Sequence, residues 1–404
     1  MTRYLTANEA AERLQVSRAT LYAYVSRGQI RSEPIAGTRT RRYHSEDIDS
    51  LVGRKRARSH PEKAASDSLH FGGWPVLESS LTLLDGERLH YRGLDAIELS
   101  RTACLEDVAQ LLWDAPVPDL APQEEPVGWD SMIDFTRGLS VVAAWQVFLS
   151  LAGPADPAGF DLRPESVRRA GARILRGLTA VSMGVTPVVE PVADTLVRGW
   201  AVTNKDARDA IRAALVLTAD HELNASAFTA RCIASAGATP YAVVTGALAS
   251  LSGHKHGGQS ELVARLFEDA ATLGSEEAIA RRLRTGERLP GFDHPLYHDG
   301  DPRGRRLIEL ASAARGSVAR RASKLADAIA REAMDKSGLH PNLDFGLAVV
   351  ARAFGLAREA PFVLFGLGRT VGWIAHALEQ YGLDRIIRPR ARYSGPTPRR
   401  HSLS

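Results

Sequence analysis

The chain has 404 residues, of which 44% are apolar and 24% charged, and these values are ordinary for a globular protein of two or three domains. No run of about 18 apolar residues occurs, so neither a membrane span nor a secretory signal is expected. The two cysteines, Cys104 and Cys232, stand in no metal-binding pattern and favour a reduced, cytoplasmic protein. The net charge of +4 is uneven, because residues 1–58 hold 12 Lys and Arg against 6 Asp and Glu. A polyanionic partner is therefore expected for residues 1–58 only.

The basic N-terminal region predicts a small helix-turn-helix unit. Thr6 and Glu9 form a capping-box pattern that begins one helix. Ser17 can cap a second helix, and residues 30–43 predict two short strands around a turn near Gly37. Two short helices joined by a tight turn are typical of a helix-turn-helix.

This unit resembles the winged helix-turn-helix module of the excisionase and mercury-resistance-regulator group. The likeness lies in TANEAAERLQVSRATLYAYVSRGQI and RRYHSEDIDSLV, within residues 3–53. It implies that the second helix enters a major groove of DNA and that basic residues of the wing meet phosphates. A protein-docking adaptor on the same scaffold is the alternative. The candidate DNA-binding residues are Arg18, Thr20, Tyr22, Arg39, Arg41 and Arg42.

A linker is predicted for residues 59–79, after the module of residues 1–58, because residues 54–61 are charged and end in a proline. From residue 80 onward, Ala- and Leu-rich periodic stretches predict mostly helices. A flexible tail is expected for residues 397–404. The body contains no glycine-rich nucleotide loop and no zinc-protease motif, so neither function is indicated.

Five segments of the body place polar residues between apolar helices. They are ADHELNAS (219–226), GHKHGG (253–258), GFDHPLY with the following DPR (291–303), PNLDF (341–345) and GLGRTVGW (366–373). Taken singly, each has a plain structural explanation. A histidine beside glycines is most often a turn residue, His221 could be a core histidine, and Asp344 could be a helix cap. Their joint occurrence is what points to chemistry.

All five segments, in this order, resemble the signatures of the citrate synthase family, and a weaker likeness runs through residues 84–93. The resemblance covers residues 80–396. It implies an all-α, two-domain helical fold in which a small domain, roughly residues 225–345, closes over the substrates and excludes water. It also implies that acetyl-CoA, as co-substrate, is condensed with oxaloacetate, and that citryl-CoA is then hydrolysed to citrate and CoA. No bound cofactor and no metal are expected.

The matching positions imply a division of roles. Asp344 would be the base that removes a methyl proton, His256 would donate to the thioester oxygen, and His294 would polarise the ketone of oxaloacetate. Because oxaloacetate is a dianion, Arg303 and Arg369 suit its carboxylates. The resemblance adds His221 to the oxaloacetate site, together with Arg388 from the neighbouring subunit of a homodimer. The coenzyme A site it implies comprises Gly257, Pro290, Gly291, His298 and Lys336.

Two positions, Asp293 and His298, depart from the family pattern, whereas the expected position of Arg369 supports anion binding. Asp293 stands where the family usually has Gly, and an inward carboxylate there would repel a dianion and could raise the pKa of His294. His298 stands where a Lys or Arg associated with coenzyme A phosphates is common. Arg369 is expected to open a helix, where backbone N–H groups favour anions.

Two alternatives to acetyl-CoA condensation remain open. The body could sense oxaloacetate or acyl-CoA for a DNA-binding transcription regulator. Condensation could instead use propionyl-CoA and give 2-methylcitrate, since one methylene is worth only about 1–3 kcal/mol.

Overall fold

The computed structural model describes residues 4–35, 40–45, 47–48, 51–52, 77–114, 128–187, 190–391 and 393–396. Its N-terminal part contains β1 (Tyr4–Leu5), α1 (Ala7–Leu14), α2 (Arg18–Ser26), β2 (Ser32–Pro34) and β3 (Arg41–His44). The strands form an antiparallel sheet in the order β1-β3-β2.

The predicted helix starts of this module are present. Thr6 N donates to Glu9 Oε2 (2.8 Å), and Glu9 N donates back to Thr6 Oγ1 (3.3 Å), which completes the capping box. Ser17 caps α2 by accepting from the backbone N–H of Thr20. The helices and the sheet enclose a small apolar core formed by Leu5, Ala10, Ala11, Leu14, Leu21, Ile30, Tyr43 and Ile48.

Three predicted features fall on residues that the structure does not describe. The turn near Gly37, most of the linker of residues 59–79 and the tail of residues 397–404 lie outside the described residues. Arg39, one of the candidate DNA-binding residues, lies outside them as well.

The body begins with a three-stranded antiparallel meander. It comprises β4 (Thr82–Asp85), β5 (Arg88–Tyr91) and β6 (Leu94–Asp95). Gly86 opens the first two-residue turn with φ +60°, and Arg92 and Gly93 both have positive φ in the second. Positive φ at these positions matches the right-handed twist of tight hairpins. The periodicity of the sequence did not predict these strands, because none exceeds four residues.

The rest of the body is helical, as the sequence predicts. Its helices are α3 (Ala96–Thr102), α4 (Leu105–Trp113), α5 (Trp129–Phe135), α6 (Val141–Ala155), α7 (Pro164–Met183), α8 (Val192–Gly199), α9 (Lys205–Leu217), α10 (Ala225–Ser235), α11 (Pro240–Leu251), α12 (Gln259–Leu273), α13 (Ser275–Arg284), α14 (Pro302–Ala313), α15 (Ser317–Ser337), α16 (Leu343–Phe354) and α17 (Ala360–Leu383), with a 3-10 turn at Pro157–Phe160. In the part of the chain that is described, no helix has the length and apolarity needed to cross a membrane.

Buried apolar side chains of the body form two cores. The larger core draws on the meander and on helices α3 to α11, with α17 running through it, and α14 and α16 also contribute to it. The smaller core draws its residues from Val263 to Ala353, on α12 to α16 and the loops between them. Helices α10 and α11, which fall inside the expected small domain of residues 225–345, contribute Ala230, Ala234 and Tyr241 to the larger core.

Helix α17 begins well before Arg369, so the prediction that Arg369 opens a helix is wrong. Gly366 and Gly368 lie inside the helix. A Cβ on Gly366 would lie 2.4 Å from the Trp145 ring, and a Cβ on Gly368 would lie 2.0 Å from Thr218 Oγ1. These glycines therefore permit close packing of α17 against its neighbours, and Arg369 sits in the helix interior.

Close packing also sets α14 beside α16. A Cβ on Gly304 would lie 2.3 Å from Asn342 O, and a Cβ on Gly346 would lie 2.8 Å from Gly304 O. Only glycine fits at such contacts. The start of α14, which carries Arg303, is thereby held against the start of α16, which carries Asp344.

Candidate active site

The polar segments found in the sequence lie at helix ends, and direct contacts join them into one cluster. His221 follows α9, His256 lies between α11 and α12, and His294 lies between α13 and α14. Asp344 is in the first turn of α16, and Arg369 projects from α17. Among the described residues, no three or more His, Cys, Asp or Glu come together in a group that could hold a metal ion.

His294 has one ring nitrogen that is already engaged. Its Nδ1 accepts a hydrogen bond from the backbone N–H of Leu296 (3.2 Å). Burial, and then the charge of Arg303, lower the pKa of His294 to about 4. The ring is therefore neutral near pH 7 and carries its proton on Nε2, which can donate to a substrate oxygen.

Asp293 acts on His294 in the direction that the sequence suggested, but it does not decide the net pKa. The nearby carboxylate favours a higher pKa of His294, whereas burial and Arg303 outweigh it, so the pKa is lowered overall. Asp293 is exposed, and its Oδ1 accepts from the backbone N–H of His294 (2.9 Å). Its φ of +65° is a conformation that glycine adopts without strain, which gives a physical reason for glycine at this position.

His221 is buried beside His294. The two ring centroids are 5.1 Å apart, and His221 Nε2 lies 2.9 Å from Tyr297 Oη. Burial, and then the positive charge of Arg303, hold the pKa of His221 well below its ordinary value. This ring is also neutral near pH 7.

His256 lies in the glycine-rich turn and contacts the start of α10. Its Nε2 is 2.9 Å from Ser226 Oγ and 3.2 Å from Asn224 Oδ1. Trp373 Nε1 donates to the same Ser226 Oγ (3.1 Å), which ties α17 to this contact. Burial, and then Arg369, lower the pKa of His256 to about 3, so it too is neutral near pH 7.

Asp344 is not the cap of α16. Asn342 caps the helix, and its Oδ1 accepts from the backbone N–H of Asp344 (3.0 Å). Among the described residues, the carboxyl group of Asp344 receives only a long side-chain hydrogen bond, from Ser260 Oγ (3.5 Å), so it remains available to a substrate. Burial raises the pKa of Asp344 to about 7, although Arg303 acts in the opposite direction. A carboxyl group with this pKa is a competent general base near neutral pH.

Arg303 is buried and held by Asp301. Its Nε and Nη2 donate to the two carboxylate oxygens of Asp301 at 2.9 and 2.7 Å. Asp301 also accepts from the backbone N–H of Leu343 (3.2 Å), beside Asp344. Sequence reasoning assigned no role to Asp301. Its position two residues before Arg303 was the available signal, because a buried guanidinium requires a fixed partner.

Arg369 is the least satisfied cation of the cluster. Only 1% of the residue is exposed, and its Nε donates to Thr218 O (2.9 Å). Its Nη1 is buried and has no hydrogen-bond partner within the described chain. Burial lowers the pKa of Arg369 to about 10, which leaves it charged near pH 7. An unpaired buried guanidinium N–H favours an anionic ligand at this place.

The remaining predicted site residues lie less close to the cluster. Arg388 is exposed and follows α17, and no described contact joins it to the cluster. His298 is exposed, and Lys336 pairs with Glu276 (3.3 Å) and Glu332 (3.5 Å). Three predicted coenzyme A residues, Gly257, Pro290 and Gly291, are buried, and Gly291 O accepts from Asn342 N (2.9 Å).

A cavity of about 260 Å³ lies beside α14. Asp299, Arg305, Glu309 and His340 are among the residues that line it.

The described DNA-binding candidates lie at the surface of the N-terminal module. The three arginines among them have hydrogen-bond partners within the module. Arg18 Nε donates to Asn8 Oδ1 (2.7 Å), Arg41 Nε to Ser32 Oγ (3.0 Å), and Arg42 Nη2 to Glu33 Oε2 (3.0 Å). Thr20 Oγ1 lies 3.0 Å from Ser17 Oγ, and Tyr22 is half exposed.

Comparison with known proteins assigns both parts of the chain. The family described as the citrate synthase C-terminal domain matches residues 161–390, and the family described as a helix-turn-helix domain matches residues 4–56. The citrate synthase of Haloferax volcanii is 32% identical over 357 residues, covering 79% of this chain and 93% of that protein. The 2-methylcitrate synthase of Mycobacterium tuberculosis is 29% identical over 339 residues, covering 76% and 84%.

The solved structures agree with the predicted fold. The crystal structure of citrate synthase from Pyrobaculum aerophilum is 26% identical, covers 81% of this chain and 91% of its own, and superposes with a TM-score of 0.69. The prediction of a helical, citrate-synthase-like fold behind a helix-turn-helix is thus confirmed. With a family match over more than half of its length, the chain belongs to the citrate synthase family.

Proposed function

We propose that this protein is a citrate synthase, which condenses acetyl-CoA with oxaloacetate and hydrolyses citryl-CoA to citrate and CoA. The observation that carries the proposal is the carboxyl group of Asp344, whose pKa of about 7 suits it to remove a proton near neutral pH. The reaction proceeds by proton transfer and carbonyl chemistry, so it needs no bound cofactor, and acetyl-CoA enters as co-substrate.

Arg303, Arg369 and His221 bind oxaloacetate in the proposed mechanism. The unpaired Nη1 of Arg369 supplies an N–H for one carboxylate, and Arg303 supplies a second positive charge. His294 Nε2–H then donates to the ketone oxygen and draws electron density from the ketone carbon. Because these side chains lie in the protein interior, their electrostatic interactions with oxaloacetate are stronger than they would be in water.

Enolisation of acetyl-CoA falls to Asp344 and His256. The Asp344 carboxylate accepts a proton from the methyl group, a carbon–carbon double bond forms, and the thioester oxygen gains electron density. His256 stabilises that oxygen if its proton is on Nδ1, which forms no hydrogen bond within the described residues. In this state Nε2 accepts from the Ser226 hydroxyl group, 2.9 Å away, whose hydrogen must turn from Asn224 Oδ1 (2.7 Å) to Nε2.

Condensation and hydrolysis follow from the same arrangement. The nucleophilic methylene carbon attacks the ketone carbon, the carbon–oxygen double bond becomes a single bond, and the oxygen takes the Nε2 proton of His294, which is replaced by way of solvent as Asp344 releases the methyl proton. Water then attacks the thioester carbonyl and gives one proton to the sulfur, the carbon–sulfur bond breaks, CoA leaves as the thiol, and the new carboxyl group releases the other proton to solvent. Loss of the thioester makes the overall condensation effectively irreversible.

The test is release of free CoA by the purified protein with oxaloacetate and either acetyl-CoA or propionyl-CoA. Faster turnover of acetyl-CoA is expected. Faster turnover of propionyl-CoA would favour the 2-methylcitrate alternative, which the Mycobacterium tuberculosis relative represents by name. Absence of CoA release with both substrates would contradict the proposal.

We also propose that coenzyme A lies along the buried glycine loops at Gly257 and Gly291, with Pro290 beside it, and that His298 and Lys336 approach its phosphates. The coenzyme A assignments follow the family's motifs. As a separate point, the free cysteines Cys104 and Cys232 favour a protein of the cytoplasm. Replacement of Lys336 by Gln should raise KM for acetyl-CoA without changing KM for oxaloacetate.

A homodimer with shared active sites is part of the same proposal. Arg388 lies in an extended segment that is fixed on the body, because Ile387 N donates to Ser235 Oγ (3.0 Å) and Gln380 Nε2 to Arg385 O (2.8 Å). The same C-terminal segment exposes three large apolar side chains, Leu383 (50%), Ile386 (66%) and Tyr393 (74%), and several such side chains together favour cover by a second chain. Sedimentation of a monomer, or an Arg388→Gln variant with unchanged KM for oxaloacetate, would count against this role.

DNA binding by the N-terminal module is a second candidate function. The helix-turn-helix match over residues 4–56 and the +6 charge of residues 1–58 favour it. Full-length protein should bind duplex DNA with an affinity that falls with salt, and Arg41→Gln should reduce the salt slope by about 1. Arg163→Gln, a change in the exposed pair with Asp161, is the matched control. A shift in DNA affinity on addition of oxaloacetate would support the sensing alternative.

A further inference from the structure

Tyr297 is a buried tyrosine at the centre of the oxaloacetate cluster that the proposed mechanism does not use. It lies on the loop between α13 and α14, and only 2% of it is exposed. Its ring centroid is 4.9 Å from that of His294 and 5.6 Å from that of His221. The guanidinium carbon of Arg303 lies 5.5 Å from the same centroid. Tyr297 therefore contacts His294, His221 and Arg303, all of which the proposed mechanism assigns to oxaloacetate binding.

The hydrogen bond between Tyr297 and His221 has only one consistent direction. Burial raises the pKa of Tyr297 to about 12, so the phenol keeps its proton. The Oη atom lies 2.9 Å from His221 Nε2, and it has no other hydrogen-bond partner within the described chain. If His221 were the donor, the phenol O–H would be buried without an acceptor, which is costly. The phenol is therefore the donor, and Nε2 is the acceptor.

This direction fixes the protonation of the His221 ring. A neutral imidazole has one donor and one acceptor nitrogen. Since Nε2 accepts from Tyr297, the proton must lie on Nδ1. Nδ1 forms no hydrogen bond with the described part of the protein, so its N–H remains available to a ligand. The opposite tautomer would present a lone pair to an anionic substrate and would repel it.

We propose that Tyr297 is a positioning residue for substrate binding, which holds His221 as the Nδ1–H tautomer and supports Arg303 with the face of its ring. The inference rests on the proposed function in one respect, namely that a dicarboxylate binds among these groups. Tyr297 acts through His221 and Arg303, and its effect falls on oxaloacetate affinity. Acyl-CoA affinity and the chemical step depend on other groups.

A conservative pair of variants separates this role from a structural one. Tyr297→Phe removes the hydroxyl group and keeps the ring. Tyr241→Phe makes the same change at another 2% exposed tyrosine, whose Oη donates to Asp156 Oδ2 (2.7 Å). Tyr241 lies in the first turn of α11, and His256 follows the other end of that helix. KM and kcat for both substrates are measured for each variant, together with calorimetric binding of oxaloacetate and the melting temperature.

The expected results differ between the two variants. Tyr297→Phe should raise KM and Kd for oxaloacetate by about tenfold, the worth of one buried hydrogen bond, with kcat and KM for acetyl-CoA within about twofold of wild type. Tyr241→Phe should lower the melting temperature and leave KM for oxaloacetate unchanged. Unchanged oxaloacetate binding in a folded Tyr297→Phe protein would overturn the inference.

A measurement on the wild-type protein keeps the inference testable if the variant does not fold. Nitrogen-15 NMR of labelled histidine distinguishes the two neutral tautomers, and the signal of His221 is identified by its loss in His221→Gln. An Nδ1–H signal at neutral pH is expected, and an Nε2–H signal would overturn the inference. The tautomer is read without turnover, so its result is independent of CoA release. Absence of CoA release with the expected tautomer would contradict the proposed function alone.

Discussion

The value of kcat/KM for acetyl-CoA should fall as the pH drops below about 7, because Asp344 becomes protonated. The reactive form of this residue is the carboxylate, because it must accept the methyl proton. Its pKa is about 7, where an ordinary aspartic acid ionises near 3.8, and burial is the main cause of the difference. The reactive fraction therefore rises as pH rises through 7 and levels off above it.

The size of the effect follows from the pKa. About one molecule in ten holds the carboxylate one pH unit below the pKa, and about nine in ten hold it one unit above. The value of kcat/KM should therefore rise by about tenfold between about pH 6 and pH 8. His256 and His294, with pKa values of about 3 and about 4, stay neutral throughout this range and add no limb.

The assay is the initial rate of thioester loss at low acetyl-CoA and saturating oxaloacetate, with Asp344→Asn as the background. Ser260→Ala is a useful second variant, because the hydroxyl group of Ser260 donates to Asp344 and lowers its pKa. Its loss should move the midpoint of the limb to higher pH. A flat profile between about pH 6 and pH 8, or a midpoint near that of an ordinary aspartic acid, would refute the reasoning.

Three further predictions concern stability and binding. Asp344→Asn should raise the free energy of unfolding by at most about 4 kcal/mol at about pH 8 and hardly at all near pH 4, as urea unfolding at both pH values can measure. The reason is that the raised pKa of Asp344 makes the stability of wild type fall as pH rises from about 4 to about 7. Arg369→Ala should reduce kcat/KM for oxaloacetate by about a thousandfold, since it removes a buried charge that meets an anion, and steady-state kinetics measure the loss. Gly368→Ala should lower stability by about 1–3 kcal/mol, because the new Cβ meets Thr218 Oγ1 at 2.0 Å, whereas Gly382→Ala in the same helix meets nothing within 4 Å and should not destabilise.

The sequence predicted which residues come together better than it predicted their surroundings. His256, His294 and Asp344 stand in separate motifs, and the structure brings them into one cluster with Arg303 and Arg369, while their catalytic roles stay predictions. The partner of Arg303 and the contact between His221 and Tyr297 were not predicted. Both depend on distances set by folding, since Tyr297 is 76 residues from His221 in the chain.

The main structural error concerns the start of α17, which the sequence predicts at Arg369 and the structure places at Ala360. Gly366 and Gly368 lie inside this helix. In the structure, tertiary packing against Trp145 and Thr218 outweighs the low helix propensity of glycine. The meander β4–β6 was missed because strands of two to four residues are too short to show an alternating pattern of apolar and polar residues.

Formation of citrate from acetyl-CoA and oxaloacetate by wild type and by Asp344→Asn tests the central claim most directly. The two proteins differ only in whether the group at position 344 can accept a proton, and thermal unfolding confirms that both are folded. Wild type should form citrate and free CoA in equal amounts, and Asp344→Asn should be slower by a factor of about 100 to 10,000. Equal rates of citrate formation in the two proteins, or no citrate from wild type, would contradict the claim.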